Sequence, residues 1–320
     1  MSTASNTRFN NIKKIEFDEI KKTYHDNYKI LNFKFLNFQS SLLSDLYRLC
    51  NNDLDSVNIF MYFERSVHKK ILGKRLDNLN HDISLKNATN NYSDINQNKH
   101  KFSDIALATG IPKESTRRKV LNLIHKKVLL KFGNKVISPN VETIKLKIIL
   151  KHIKEFSYFL SFFLKFCKIN KKSKNLEKKI FKNFSFYTFH FLNTQMLYLK
   201  DCRNNFQDLD LLLIKIQCDI KIQNQITTNL NVIYDKDKTN IDLTHSTVSA
   251  TSISLITGIP RASCIRKLKL LCDKKIIKKD FSTKRYYSNI YNKKNSRFNF
   301  DNNNKTVNYF SEFLFTLLSN

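Results

Sequence analysis

Residues Ile105–Lys131 read IALATGIPKESTRRKVLNLIHKKVLLK, and residues Ile253–Lys279 read ISLITGIPRASCIRKLKLLCDKKIIKK. Laid over each other without a gap, the two segments agree at about 13 of 27 positions, far above chance for such a window. The chain has only 4 Gly and 3 Pro, yet Gly110-Ile111-Pro112 and Gly258-Ile259-Pro260 fall at equivalent places. Compositional drift does not place rare residues in register, so the chain carries an internal repeat. Weaker matches extend it upstream. Phe35-Leu36-Asn37-Phe38-Gln39 corresponds to Phe191-Leu192-Asn193-Thr194-Gln195, and Asp53-Leu54-Asp55 to Asp208-Leu209-Asp210. Each half then consists of a helical lead-in, a polar loop and the repeated unit.

Within the first unit, Phe102–Thr109 has the apolar spacing of a short helix. Gly110 suits a helix C-terminal cap or tight turn with positive φ, and Ile111 can pack beneath it. Pro112 suits the first turn of a second helix. That helix has an apolar face at Thr116, Val120 and Leu123, and turns Lys113, Glu114, Ser115, Arg117, Arg118 and Lys119 the other way. The second copy keeps the plan: Cys264, Leu268 and Leu271 face in, while Arg261, Ser263, Arg266 and Lys267 face out. A hairpin follows each helix. Val128–Phe132 reads as a strand, Gly133-Asn134 as a turn, and Lys135-Val136-Ile137 as the returning strand. Its counterpart is Ile276–Lys279, a turn near Phe281–Thr283, and Lys284-Arg285-Tyr286-Tyr287.

The pattern T-G-I-P-[KR]-x-[ST]-x-x-R-K resembles the turn and recognition helix of bacterial winged helix-turn-helix transcription regulators of the MarR-like kind. The resemblance covers about 40 residues per copy, roughly a quarter of the chain in total. It implies a mainly α fold with short β-hairpin wings: two tandem winged helix-turn-helix units, each preceded by lead-in helices. It also implies double-stranded DNA as partner and a cytoplasmic, nucleoid-associated place in a bacterium. Recognition helices enter the major groove by their N-terminal halves, and basic hairpin tips reach phosphates or the minor groove. The DNA-contacting set is therefore Lys113, Ser115, Arg117, Arg118, Lys119 and Lys135 in one unit, and Arg261, Ser263, Arg266, Lys267, Lys284 and Arg285 in the other. The outward faces differ where Glu114 and Arg117 become Ala262 and Ile265. The two units are thus expected to prefer different bases or to bind unequally.

The layout that follows has a basic polar arm over 1–28 and a first repeat over 29–141 with its core at 102–140. A second repeat with aromatic-rich helices covers 142–290 with its core at 251–289, and a linker with a closing helix covers 291–320. Helices are expected near Phe33–Cys50, Ser56–Leu72, Glu142–Lys168, Leu176–Cys202, Leu209–Gln223 and Val307–Leu318. Polar loops are expected over Asp77–Lys101 and Thr227–Ser249.

Composition agrees with a polyanionic partner: 56 Lys+Arg against 27 Asp+Glu give a formal charge of +29. The Lys, Asn, Ile and Phe bias of an AT-rich genome accounts for part of that excess. The six cysteines form no C-x-x-C pair, which suits a reducing compartment. The first ten residues have no apolar core of a signal peptide, and Phe156–Cys167 is too short to span a bilayer. No phosphate loop, nucleophile elbow or metal-spaced His pair occurs, so no enzymatic chemistry, cofactor or metal is expected. Cys264 aligns with an inward Thr and reads as core. The stripe Phe181–Phe191 reads as core or dimer interface in preference to an effector pocket. A second copy of the chain and a small-molecule effector stay open as partners. The rival readings are a plasmid or phage-type replication initiator or partition protein, a scaffold, and a peripheral membrane protein.

Overall fold

The computed structural model describes residues 16–90, 100–132, 136–140, 146–169, 171–229, 246–289 and 304–319. The first half contains α1 (Phe17–Asp26), α2 (Tyr28–Leu49), α3 (Leu54–Asp77), short α4 (Leu85–Asn90), α5 (Phe102–Thr109) and α6 (Lys113–His125). A hairpin of β1 (Leu129–Phe132) and β2 (Val136–Pro139) follows, then α7 (Leu146–Phe166). The second half contains α8 (Ser173–Lys182), α9 (Phe184–Phe206), α10 (Leu209–Asn229), α11 (Ala250–Thr257) and α12 (Arg261–Asp273). Its hairpin is β3 (Ile277–Lys279) with β4 (Tyr286–Ser288), and α13 (Asn304–Ser319) closes the chain. The protein is mainly helical, and its two described sheets are antiparallel pairs. β1 and β2 pair from Leu129↔Pro139 to Phe132↔Val136, β3 and β4 from Ile277↔Ser288 to Lys279↔Tyr286.

The repeat reaches further than the sequence comparison indicates. Asn27 separates α1 from α2, and Asn183 separates α8 from α9. In each case the asparagine side chain donates back to the carbonyl four residues earlier, to Thr23 at 3.0 Å and Lys179 at 3.4 Å. An Asn side chain bonded to the local backbone competes with helix continuation. The expected single helix Leu176–Cys202 is therefore two helices. Part of the expected arm is likewise ordered: α1 buries Ile20 and Tyr24 where α8 buries Leu176 and Ile180.

The two halves interlock. α3 packs along α9 while α10 packs along α2; α7 packs on α2 and α8 while α13 packs on α9 and α1. Every one of these contacts recurs with the halves exchanged, which is the signature of an isologous interface about a two-fold axis. The aromatic layer shows it ring by ring. Phe156 meets Phe313 at 5.6 Å and Phe159 meets Phe310 at 5.6 Å, while Phe35–Phe159 at 5.9 Å mirrors Phe191–Phe313 at 5.7 Å. Phe156-Ser157-Tyr158-Phe159-Leu160 is matched by Phe310-Ser311-Glu312-Phe313-Leu314. This assigns residues 146–166 to the first half and the closing helix to the second, in place of the expected boundaries near 141 and 290. The stripe Phe181–Phe191 contributes Phe184 and Tyr187 to the same buried layer.

On the pseudo-axis, Gln39 and Gln195 exchange amides: each Nε2 donates to the other's Oε1 at 2.8 Å, and both residues are buried. Replacing one glutamine strands a buried amide, which costs about 1–3 kcal/mol, whereas removing both partners is close to neutral. Gln39→Leu and Gln195→Leu are therefore each expected to lower stability by that amount, and the double substitution to recover most of it. Urea titrations of the four proteins check this. Additive losses would show that the pair is not coupled.

Candidate nucleic-acid interface

The turn of each repeated unit is built by the same four residues. Thr109 and Thr257 hydroxyls donate to the carbonyls of Ile105 and Ile253 at 2.7 Å, and accept the amides of Ile111 at 3.4 Å and Ile259 at 3.2 Å. Gly110 and Gly258 adopt φ of 72° and 82°, which a side chain rarely tolerates. Ile111 and Ile259 are buried beneath the turn. Pro112 and Pro260, expected at the first helical position, instead lie one residue before it. As N-caps they use the carbonyl: the amides of Thr116 and Cys264 donate to it at 2.8 and 2.9 Å. Thr116 Oγ1 and Cys264 Sγ then bond back to the Ile111 and Ile259 carbonyls, which explains why a threonine and a cysteine exchange at this buried place.

Each turn is held by a cation from the other half. Lys200 donates to the Leu107 carbonyl at 2.8 Å and Arg203 to the Gly110 carbonyl at 3.2 Å. In exchange, Arg48 donates to the Ile256 carbonyl at 2.6 Å and the Leu255 carbonyl at 3.3 Å. A Cβ at Gly110 or Gly258 would press on Lys200 or Arg48 at 3.2 and 3.1 Å. These cations satisfy carbonyls at helix C-termini, where positive charge is favoured.

The second helix of each unit presents its charge as expected in most positions. Lys113, Arg117 and Arg118 on α6 and Arg261 and Arg266 on α12 are exposed, with Ser115 and Ser263 partly so. Arg117 lies 3.9 Å from Glu114, a contact that Ala262 and Ile265 cannot make in the second unit. Arg261 Nε donates to Thr251 at 3.1 Å, tying it to α11. Lys284 and Arg285 are exposed at the hairpin turn, where Thr283 and Ser282 bond to Asp280 and hold its carboxyl below the usual range. Lys135 and the Gly133-Asn134 turn lie outside the described residues.

Lys119 and Lys267 do not face out. Lys119 Nζ lies 2.6 Å from Asp53 and 3.5 Å from Asp55. The equivalent Lys267 bonds Asp208, and Asp210 at 3.0 Å, with its side chain only 9% exposed. The lysines latch α6 to the start of α3 and α12 to the start of α10. Burial works against the Lys267 charge, but Asp210 and Asp208 overcome it and hold the ammonium above its ordinary range. Burial likewise pushes Asp55 up against the pull of Arg203 and Lys119, and Asp210 up against Lys267. The repeated D-L-D lies at helix starts, where Asp is favoured. Asp53 does cap α3, accepting the Ser56 amide at 3.0 Å, but both pairs also serve as counter-ions. The available signal was position: each lysine precedes a buried Val120 or Leu268, at the edge of the apolar face.

Among the described residues no group of His, Cys, Asp and Glu could hold a metal ion, and no helix is long and apolar enough to cross a membrane. The chain matches no protein-family model, no curated protein and no solved structure.

Proposed function

We propose that the protein is a sequence-specific duplex-DNA-binding transcription regulator. In this reading α5, α6 and the first hairpin form one winged helix-turn-helix, and α11, α12 and the second hairpin form another. The observation that carries the reading is the pair of equivalent helices, α6 and α12. Each starts from a glycine-proline turn, is anchored by a threonine or cysteine and a latched lysine, and exposes its arginines to solvent. An exposed cationic N-terminal half on a firmly seated helix is what major-groove reading requires.

The exchange symmetry specifies the ligand further. Readers related by a two-fold axis meet the duplex in opposite orientations, so the preferred site is an inverted repeat, with half-sites about one helical turn or roughly 34 Å apart. In this reading the chain's two halves take the places of the two protomers of a homodimer, so one chain occupies the whole site. The half-sites are unequal because Glu114 and Arg117 on one reader are replaced by Ala262 and Ile265 on the other.

Selection of the purified protein against random duplex DNA, with sequencing of the enriched pool, tests this. Two related boxes in inverted orientation at constant spacing are expected. Direct repeats would overturn the two-fold reading, and an unenriched pool would overturn sequence-specific recognition.

A further inference from the structure

We propose that a polar pocket of about 450 Å³ between α3 and the head of α5 binds a phosphate group. It is lined by Tyr62, Arg65, Ser66, Lys69, Lys70, His100 and Asp104. The proposal does not depend on the DNA reading.

Arg65, Lys69 and Lys70 come from successive turns of one helix, and Asp104 is the single acid in the lining. The lining therefore holds a surplus of positive charge before His100 is counted. The Arg65 guanidinium is half-buried beside the Tyr62 ring and donates to the neutral Asn193 Oδ1 at 3.1 Å. His100 packs edge-on against Tyr62 and Phe63, and its Nε2 has no hydrogen-bond partner among the described residues. Burial lowers the pKa of Arg65, of Lys70 (with Lys74 adding to it) and of His100 (with Lys70 adding to it). Holding Arg65 and Lys70 close together at the cost of part of their hydration is unfavourable, and an oxyanion between them reverses it. A planar guanidinium with neighbouring ammonium groups matches phosphate geometry.

The repeat supplies an internal control. At the equivalent places of the second half stand Gln217, Ile220, Lys221, Asn224 and Gln225 on α10, with Ser252 in place of Asp104. The fold common to both halves thus forms without this cation cluster. Packing does not demand it, and its presence in one half points to a ligand. His100 and Asp104 adjoin α5, so an occupant would bear directly on the first unit alone.

The test is calorimetric titration of the full chain with pyrophosphate, alongside Lys69→Gln/Lys70→Gln and a control, Lys147→Gln, at an exposed position of α7. Saturable binding by wild type and control, weakened at least tenfold in the double variant, is expected. Lys69→Gln alone, at an exposed site, guards against misfolding of the double variant and should weaken binding several-fold. A second arm distinguishes the source of the phosphate. If pyrophosphate competes with DNA and the variant lowers the salt slope of DNA binding by one to two, the occupant is a backbone phosphate. If DNA affinity is unchanged by the variant, it is a small phosphorylated molecule. Equal, unsaturable titrations of wild type and variants, with unchanged DNA binding, would overturn the proposal.

Discussion

Arg118→Ala combined with Arg266→Ala is expected to weaken binding to the selected duplex by about 30-fold to 20,000-fold, at about 1–3 kcal/mol for each arginine that reads a base in bidentate fashion. Fluorescence anisotropy at one stated salt concentration measures it, because phosphate contacts alone make affinity strongly salt-dependent. Both arginines are exposed and, among the described residues, bond to nothing that holds the fold, so circular dichroism and the thermal midpoint should stay at wild-type values. The diagnostic quantity is the ratio of specific to non-specific affinity. Loss of two positive charges weakens both kinds of binding, whereas loss of base reading weakens only the specific one. The single variants should differ as well, because Arg118 has Arg117 beside it and Arg266 has Ile265. Undiminished affinity of the double variant for the selected site would remove α6 and α12 as the reading helices.

Much of this architecture was legible because the repeated unit is held by local chemistry. Gly110 and Gly258 need positive φ, Pro112 and Pro260 end the turn, and the apolar spacing of Thr116-Val120-Leu123 buries the face that it names. Such signals lie within a dozen residues of each other. What was not legible depends on residues far apart in the chain. The interlocking of α2 with α10 and α3 with α9 sets helices against partners far along the chain, 177 residues apart for Ser40–Gln217 and 128 for Arg65–Asn193, and no periodicity encodes that choice. The Phe-Ser-x-Phe-Leu match between α7 and α13 was present in the sequence, but five residues in a Phe-rich chain gain meaning only once Phe156–Phe313 and Phe159–Phe310 are seen in reciprocal contact. At the interface the misreading had the same origin. Lys119 and Lys267 sit at the edge of an amphipathic helix, where spacing alone cannot tell a solvent-facing charge from one meeting a carboxylate on another element. The carboxylates at Asp53, Asp55, Asp208 and Asp210 lie 57 to 66 residues earlier.

That latch gives the second large effect. Lys267→Met keeps the aliphatic stem packed against α10 but removes the charge, leaving Asp210 buried without its counter-ion. Breaking one side of a buried pair costs about 3–5 kcal/mol, and the partial exposure of Asp208 places the expected loss at pH 7 near the lower end, about 3 kcal/mol. The pH dependence distinguishes this origin from simple loss of packing. Burial already holds the Asp210 carboxyl above its unfolded value, and Lys267 opposes that shift. A carboxyl raised in the folded state favours folding below its unfolded pKa, about 3.9, and loses that contribution as pH rises through the folded value. Without Lys267 the folded value rises further, so the penalty of Lys267→Met should be greatest near neutrality and shrink as the solution is acidified toward pH 4. Asp210→Asn placed in the Lys267→Met background should recover most of the loss at pH 7, since it removes the stranded charge. Urea denaturation of the three proteins at pH 4.5 and 7 decides the matter. A penalty that stays the same at both values would mean that Lys267 supports α12 through its methylene chain, and that the carboxylates beneath it are incidental.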